Sequence, residues 1–431
     1  MTSSLTTFLR APQLSRRQRI VVLFVLLCVA ISRAPYVLFH GRFFAEEGSI
    51  YFSHMKAGSV WFIARPVGYI YAFCNLATWL AARVPLQRAP LVTAWLSLGV
   101  IATVVWAALS WPSELFPDVR TRIAAAVLLI VGPLAVPAVW LNATNVQVYL
   151  GILAVLVLFV DVNALGRNGF VGIALLLGLA GLSGLYAATL APLYLFRAFR
   201  ERTHRMKVLA GVISLCALAQ LIVVARSHAS GNLAQGRGSF RGLGVMTRDV
   251  AAGHLSTFLF GGPVATRLSA HAYSFFGLLA FASFGLVLAA VLAFVLASTP
   301  RRRTAVLLAG AFVLSEILVL FGTRGSTGGR YLVVPVAILL LIAVYGISAR
   351  NRVASGIASV ICIVALVAGG STFWTGQPTT LRCIKCPQWS QQVRSWQANH
   401  ARRLVIWPYR AKQPWVVRLS EAQTGQSLRR G

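Results

Sequence analysis

Acidic residues are nearly missing from this chain: nine stand against forty lysines and arginines in 431 residues. Charge of either sign is scarce, at 11% of residues, where a soluble domain carries roughly a quarter. That shortage excludes an ordinary soluble domain. The residues are 58% hydrophobic, gathered in apolar runs of roughly twenty and broken by arginine clusters, the pattern of a polytopic membrane protein. The formal charge of +31 does not imply nucleic acid. Most bases before residue 375 lie at the ends of apolar runs, where they orient helices and meet anionic lipid head groups. Other absences narrow the class. No P-loop or Rossmann fingerprint is present. No inverted-repeat transporter pattern is visible. No small-residue cleavage site follows the first apolar run, so it is expected to remain as a signal anchor with its N-terminus in the cytoplasm.

What is present is an alternation of spans and basic turns. Candidate spans cover about 19–38, 91–110, 123–141, 146–161, 170–185, 187–198, 207–225, 273–298, 304–321, 331–348 and 353–373. Segment 66–83 is a twelfth candidate. Placing it at the outer interface, as an amphipathic helix rich in Tyr, Phe and Trp, puts every basic cluster inside. The clusters are 10–19, 120–122, Arg167, 197–207, 301–303 and 348–352. The expectation is therefore an all-α membrane protein of about eleven transmembrane helices with interfacial helices on the outer face. A polytopic domain occupies 1–374, with outer loops 39–90 and 226–272. Residues 375–431 form a small extracytoplasmic segment.

The few acids sort by side. Glu114, Asp118, Asp161 and Glu201 fall in cytoplasmic turns beside bases. Glu316 lies inside the ninth span, where a charge is costly and faces a cavity or a partner; Arg324 and Arg330 are the nearest candidate partners. Glu46 and Glu47 stand side by side in "RFFAEEGSIYF", just past the first span and wrapped in aromatics. Adjacent side chains diverge, so one carboxylate can face a reacting group while the other binds a cation or an arginine. At a wet membrane edge a carboxylate can take a proton from a sugar hydroxyl. The alternative is an acid pair capping the helix that begins near Gly48. Arg324, Arg330 and Tyr331 lie in the glycine-rich turn "TRGSTGGRY", suited to phosphate oxygens, and Arg65 precedes Pro66. Asn142, Asn145 and Gln147 cluster at an outer helix end and suit sugar hydroxyls; Ser183 and Tyr186 stand at another. His54, His254 and His271 have no metal spacing.

The acidic pair after the first span, Glu46-Glu47 followed by Gly48, Ser49, Ile50 and Tyr51, resembles the motif of GT-C glycosyltransferases, polytopic enzymes that use polyprenyl-phosphate sugars. Interfacial helices after that loop, short broken central spans, the outer "RY" turn and an outer C-terminal segment also resemble the group. Two departures stand out: Glu46 replaces the Asp of many members, and "GLSGLY" stands where several carry a Lys. The resemblance implies inverting sugar transfer to an acceptor hydroxyl on a glycan, lipid or protein at the outer face of a bacterial inner membrane, in cell-envelope polysaccharide synthesis. Glu46 would be the base and Glu47 its companion. Arg324, Arg330, Tyr331 and Arg65 would hold the donor phosphate. Asn142, Asn145, Gln147, Ser183, Tyr186 and Glu316 would serve sugar or acceptor. Carboxylates beside phosphate could hold Mg²⁺ or Mn²⁺ at Glu46 and Glu47. The competing classes are a lipid-linked glycan flippase, and an O-antigen ligase or polymerase-like enzyme relying on Arg and His.

Of six cysteines, Cys28, Cys74, Cys216 and Cys362 lie in apolar runs and read as core thiols. Cys383 and Cys386 form a CxxC in the polar tail. A local disulfide is the expectation, with a zinc half-site or a redox pair as alternatives.

Overall fold

The computed structural model describes residues 13–58, 62–63, 67–134, 136–230, 245, 249–271, 274–322, 329–374, 388–408 and 414–419. Arg65, Arg324, Cys383 and Cys386 lie outside the described residues, as does part of the 226–272 loop. In chain order the main helices are α1 (Arg16–Arg33), α2 (Ala72–Ala81), α3 (Ala89–Ser110), α4 (Val119–Val131), α5 (Gln147–Val157), α6 (Arg167–Gly181), α7 (Ala191–Glu201), α8 (His204–Ala229), α9 (Phe275–Ala297), α10 (Arg302–Gly322), α11 (Val333–Gly346), α12 (Arg352–Phe373) and α13 (Trp389–Ala398). Strands β1 (Leu404–Ile406) and β2 (Trp415–Val417) pair antiparallel, Leu404 opposite Val417.

Helix starts are set by polar caps beside the basic clusters. Ser15 and Gln18 form a capping box on α1, and Asp118 and Thr121 form one on α4. Thr203 caps α8 and Asn351 caps α12. Each cap satisfies amide donors that the first helical turn leaves open. The same end of the bundle gathers the turn acids into ion pairs. Glu201 meets Arg197 at 2.8 Å and also Arg303. Glu114 accepts the Thr304 hydroxyl at 2.7 Å and faces Arg301 at 3.6 Å. Asp118 holds Arg120 at 2.9 Å. Arg197 also donates to the carbonyls of Leu158 and Val160, closing the end of α5.

Among the described residues, six helices are long and apolar enough to cross a membrane: α3, α8, α9, α10, α11 with its leading turn, and α12. The helices on either side of residues 182–184 would make a seventh, bent by 115°. The expected count of eleven is not confirmed. Each of the eleven apolar segments forms a helix, but α1 carries Arg16, Arg17, Arg19 and Arg33. The 13 residues of α4 and 11 of α5 reach about 20 and 17 Å, short of a hydrocarbon core of about 30 Å. Every residue of α5 is buried, as is every residue of α11, so these two form the centre around which the other helices pack. Segment 66–83 forms only the ten-residue α2, about 15 Å long, too short to span.

The bundle has two poles. α5 runs from Gln147 to the arginine-closed carbonyls at 158–160, and α11 runs from the Arg330 turn toward Ile347. The Glu46 loop, the 138–147 segment and the Arg330 turn therefore share the pole opposite the ion-paired bases. On that pole α13 and the two strands pack against Phe43, Phe52, Ala81 and Ala89 through Trp389, Val393, Leu404, Ile406 and Val417.

Candidate active site

The chain leaves α1, makes a short turn over Pro35–His40 and enters the acidic loop. Ala45 has a left-handed backbone (φ 44°), and a π-helical turn begins at Glu47. This geometry sends the two carboxylates apart. Glu47 is fully buried. Its Oε2 accepts the Phe44 N–H at 3.0 Å and its Oε1 the Ala143 N–H at 3.1 Å. Burial pushes its carboxyl above the usual carboxylate range, offset in part by hydrogen bonds from Thr93, Ala143 and Phe44 and by the Arg42 guanidinium. Arg42 is itself buried, pulled down to about 10 by desolvation. It donates to the Trp140 carbonyl at 3.1 Å and lies 5.0 Å from the Phe44 ring centre. Glu46 is partly exposed, and no hydrogen bond to its side chain exists among the described residues. Its charge bears on Tyr51, whose phenol is pushed up chiefly by burial, with smaller contributions from Cys74, Tyr69 and Glu46.

From Tyr51 a network of polar side chains extends across the pole. Tyr51 stacks on Tyr71 with ring centres 6.0 Å apart, and the Tyr69 hydroxyl donates to that of Tyr71 at 3.2 Å. Gln147 Nε2 reaches the Tyr69 hydroxyl at 3.4 Å. Arg330 donates through Nη1 to Asn145 Oδ1 and through Nη2 to the Tyr331 hydroxyl, both at 3.0 Å. Two of its five N–H donors are thus fixed, which orients the planar fork. Tyr186 donates to the Tyr331 carbonyl at 3.1 Å and steadies the same turn.

The broken helix pair borders this network. Gly184 has φ 134°, and a Cβ there would lie 2.1 Å from Gln147 Oε1, so only glycine fits. The Ser183 hydroxyl accepts the Phe73 N–H at 2.9 Å and the Leu182 carbonyl accepts that of Ala72 at 2.8 Å. Gln220 of α8 bonds to both backbone groups of Ile70 and donates to the Gly181 and Gly184 carbonyls. One buried amide thereby joins α8, the break and the tyrosine segment.

The structure brings Glu46, Arg330, Tyr331, Gln147 and Tyr186 to one pole, and several of the other candidate residues have protein partners. Asn142, Asn145 and Ser183 are buried and spend their polar groups on protein partners: both asparagines donate to the Ala138 carbonyl, at 2.9 and 2.8 Å. Glu316 pairs with His254 Nδ1 at 2.7 Å and, among the described residues, not with Arg330; Arg324 lies outside them. The turn Asp249–Leu255 packs His254 against α10 in a fully buried position. A divalent ion held jointly by Glu46 and Glu47 does not fit, since Glu47 is turned inward onto backbone amides. No group of three or more metal-ligating side chains exists among the described residues. Tyr69, Tyr71, Thr93 and Gln220 were missed from sequence. The spacing in "GYIYAF" and a lone Gln in an apolar run were the available signals.

Glu47 accepts from donors that a glutamine cannot all match, because its amide NH₂ would face an N–H. Glu47→Gln is expected to cost about 1–3 kcal/mol, seen as a lower melting temperature, with residual turnover exceeding that of Glu46→Gln. An unchanged melting temperature would remove its anchoring role.

Among solved structures the chain is similar to the arabinofuranosyltransferase AftD from Mycobacteria, determined by single-particle cryo-EM. One match has 15% identity and a TM-score of 0.48, covering 96% of this chain and 31% of that one. A second, to a mutant of the same enzyme, has 17% identity and a TM-score of 0.47, covering 91% and 30%. The chain spans about a third of the length of these structures. No protein-family model matches the sequence, and no curated protein matches it.

Proposed function

We propose that this chain is an inverting membrane glycosyltransferase that moves a sugar from a polyprenyl-phosphate donor to an acceptor hydroxyl at the outer membrane face. The observation that carries the reading is the split of the acidic pair. One carboxylate is buried and held by backbone amides, and the other is partly exposed, with no side-chain hydrogen bond among the described residues, near tyrosines, amides and an oriented arginine. Glu46 takes the proton of the acceptor hydroxyl as its oxygen attacks the anomeric carbon from the face opposite the phosphate. The bond from that carbon to the phosphate oxygen breaks, and the electron pair leaves with the lipid phosphate. The departing group is an anion, so it needs positive charge and not a proton. Arg330 supplies that charge from a fixed position, with Tyr331 holding its fork. Arg324 and Arg65 remain candidate phosphate contacts. The proton on Glu46 passes to water. Glu316, closed on His254, is more consistent with a bundle clasp than with a transport path.

The donor class is tested with purified protein in proteoliposomes, given labelled polyprenyl-phosphate hexoses and pentoses or the matching nucleotide sugars. Label transferred only from the lipid phosphates is expected; transfer from nucleotide sugars would overturn the donor assignment.

Orientation belongs to the same proposal: basic pole in the cytoplasm, Glu46 pole outside, in a bacterial inner membrane. In a cysteine-free background, Ala57→Cys and Ser230→Cys are expected to react with an impermeant maleimide added outside. Arg120→Cys and His204→Cys are expected to react only after permeabilisation; all four positions are exposed. The opposite pattern would place the site in the cytoplasm.

A further inference from the structure

The C-terminal segment closes directly on the loop that presents Glu46. Trp407, the residue after β1, forms an isolated parallel bridge with Phe44. Its N–H donates to the Phe43 carbonyl at 3.1 Å, and its carbonyl accepts the Ala45 N–H at 2.5 Å. Ala45 immediately precedes Glu46 and holds φ 44°, a left-handed conformation that alanine keeps only when its surroundings impose it. The Trp407 ring supplies those surroundings. It is buried in a cluster with Phe44 and Ala45, flanked by Tyr36, Ala138 and Trp415. It stacks on Tyr36 at 6.3 Å and lies 5.1 Å from the Arg42 guanidinium.

The tail also fixes the loop beyond Glu46. Ile406 presses on Gly48, where a Cβ would lie 2.7 Å from Ile406 Cδ1. The Ser53 hydroxyl accepts the Arg418 N–H at 3.0 Å and donates to the Gly48 carbonyl at 2.9 Å. Glu46 therefore lies between two backbone points, Ala45 and Gly48, both tied to the tail. The tail has anchors besides the loop: Trp389, which also packs on Phe43, donates to the Leu86 carbonyl at 2.8 Å, and Gln392 exchanges two hydrogen bonds with Val405 within the tail.

We propose that Trp407 is a positioning residue for Glu46. Its backbone and ring hold Ala45 left-handed and so fix the direction of the Glu46 carboxylate. The base of the reaction, near the start of the chain, is set by a hook near its other end. The catalytic part of this inference rests on the reading of Glu46 as the base; the structural part does not.

The test uses the full chain in nanodiscs, with Trp407→Ala, Trp407→Phe and, as a milder change on the other side, Ile406→Ala. Hydrogen–deuterium exchange of the peptide spanning 43–52 is measured beside kcat and KM for the labelled polyprenyl-phosphate hexoses. Trp407→Ala is expected to speed exchange in 43–52 while the amides of α5 and α11 stay protected. It should lower kcat about tenfold or more with donor KM within about twofold, since misplacing a reacting group by about an ångström has that scale of effect. Trp407→Phe, which keeps a buried ring, should restore both readouts, and Ile406→Ala should loosen the loop to a smaller extent. Unchanged exchange in 43–52 for Trp407→Ala and Ile406→Ala alike would overturn the hook. A loosened loop with unchanged kcat would overturn its role in positioning the base. A loosened loop in a protein whose wild type transfers no sugar would leave the hook standing and remove the transferase reading alone.

Discussion

Replacing Glu46 by glutamine is expected to cut sugar transfer by about two orders of magnitude or more, the usual contribution of a general base. The fold should survive, because Glu46 is partly exposed and no side-chain hydrogen bond to it exists among the described residues. Glutamine keeps the length and polarity of the side chain and removes its basicity, so donor binding should be retained while kcat falls. Glu46→Asp probes the other variable, reach. The side chain is shortened by one methylene with the charge kept, so an intermediate loss is expected. Rates measured in proteoliposomes, with donor binding measured in parallel, check both. Near-normal turnover by Glu46→Gln would remove the base assignment. Loss on Glu47→Gln alone, with a stable fold, would exchange the parts of the two carboxylates.

Arg330→Lys is expected to raise the KM for the lipid-phosphate donor about tenfold or more, because a lysine ammonium cannot reproduce a planar fork of charge-assisted donors. The fork is oriented before substrate arrives. Nη1 is held by Asn145, Nη2 by the Tyr331 hydroxyl, and the guanidinium lies 5.0 Å from the Tyr331 ring centre. A lysine can satisfy one of these partners at a time, so both the charge's position and the turn that carries it should loosen. Arg330→Ala removes the charge and should depress kcat as well, since the departing phosphate anion loses its stabilisation. Asn145→Ala should act through Arg330, shifting donor KM in the same direction by a smaller factor. Unchanged donor KM in Arg330→Lys would move the phosphate site to Arg324, Arg65 or the 226–272 loop.

The membrane character and the polar ends were readable because lipid leaves the chain little choice. Apolar runs must become helices that satisfy their own backbone, and caps such as Asp118 and Asn351 stand beside the basic clusters that mark their ends. The number of crossings was not readable from hydropathy alone. α5 is as apolar as a span yet eleven residues long and buried throughout, a core helix surrounded by other helices. The acidic pair was visible as a pair, but the sequence does not say which carboxylate turns inward. That depends on the Ala143 N–H, 96 residues away, and on the left-handed turn at Ala45. The amides at 142 and 145 were visible as polar groups near the site. Their engagement with the Ala138 carbonyl is a tertiary fact with no local pattern. Tyr69 and Tyr71 look like interfacial aromatics in sequence, and only the approach of Gln147 and Arg330 makes them part of a polar network. Glu316 was recognisable as costly inside a span, but its partner comes from a turn whose placement no neighbouring residue announces.

The central claim is bond formation at the Glu46 pole, and the most direct measurement is the anomeric configuration of a product made by the purified wild-type protein. Proteoliposomes holding the protein are given a labelled polyprenyl-phosphate sugar of known anomeric configuration and an outer-face glycan acceptor, and the product is analysed by NMR. The expected result is a new glycosidic bond with inverted configuration, lost in Glu46→Gln. Labelled lipid that crosses the bilayer with no new bond, or a product of retained configuration, would contradict it.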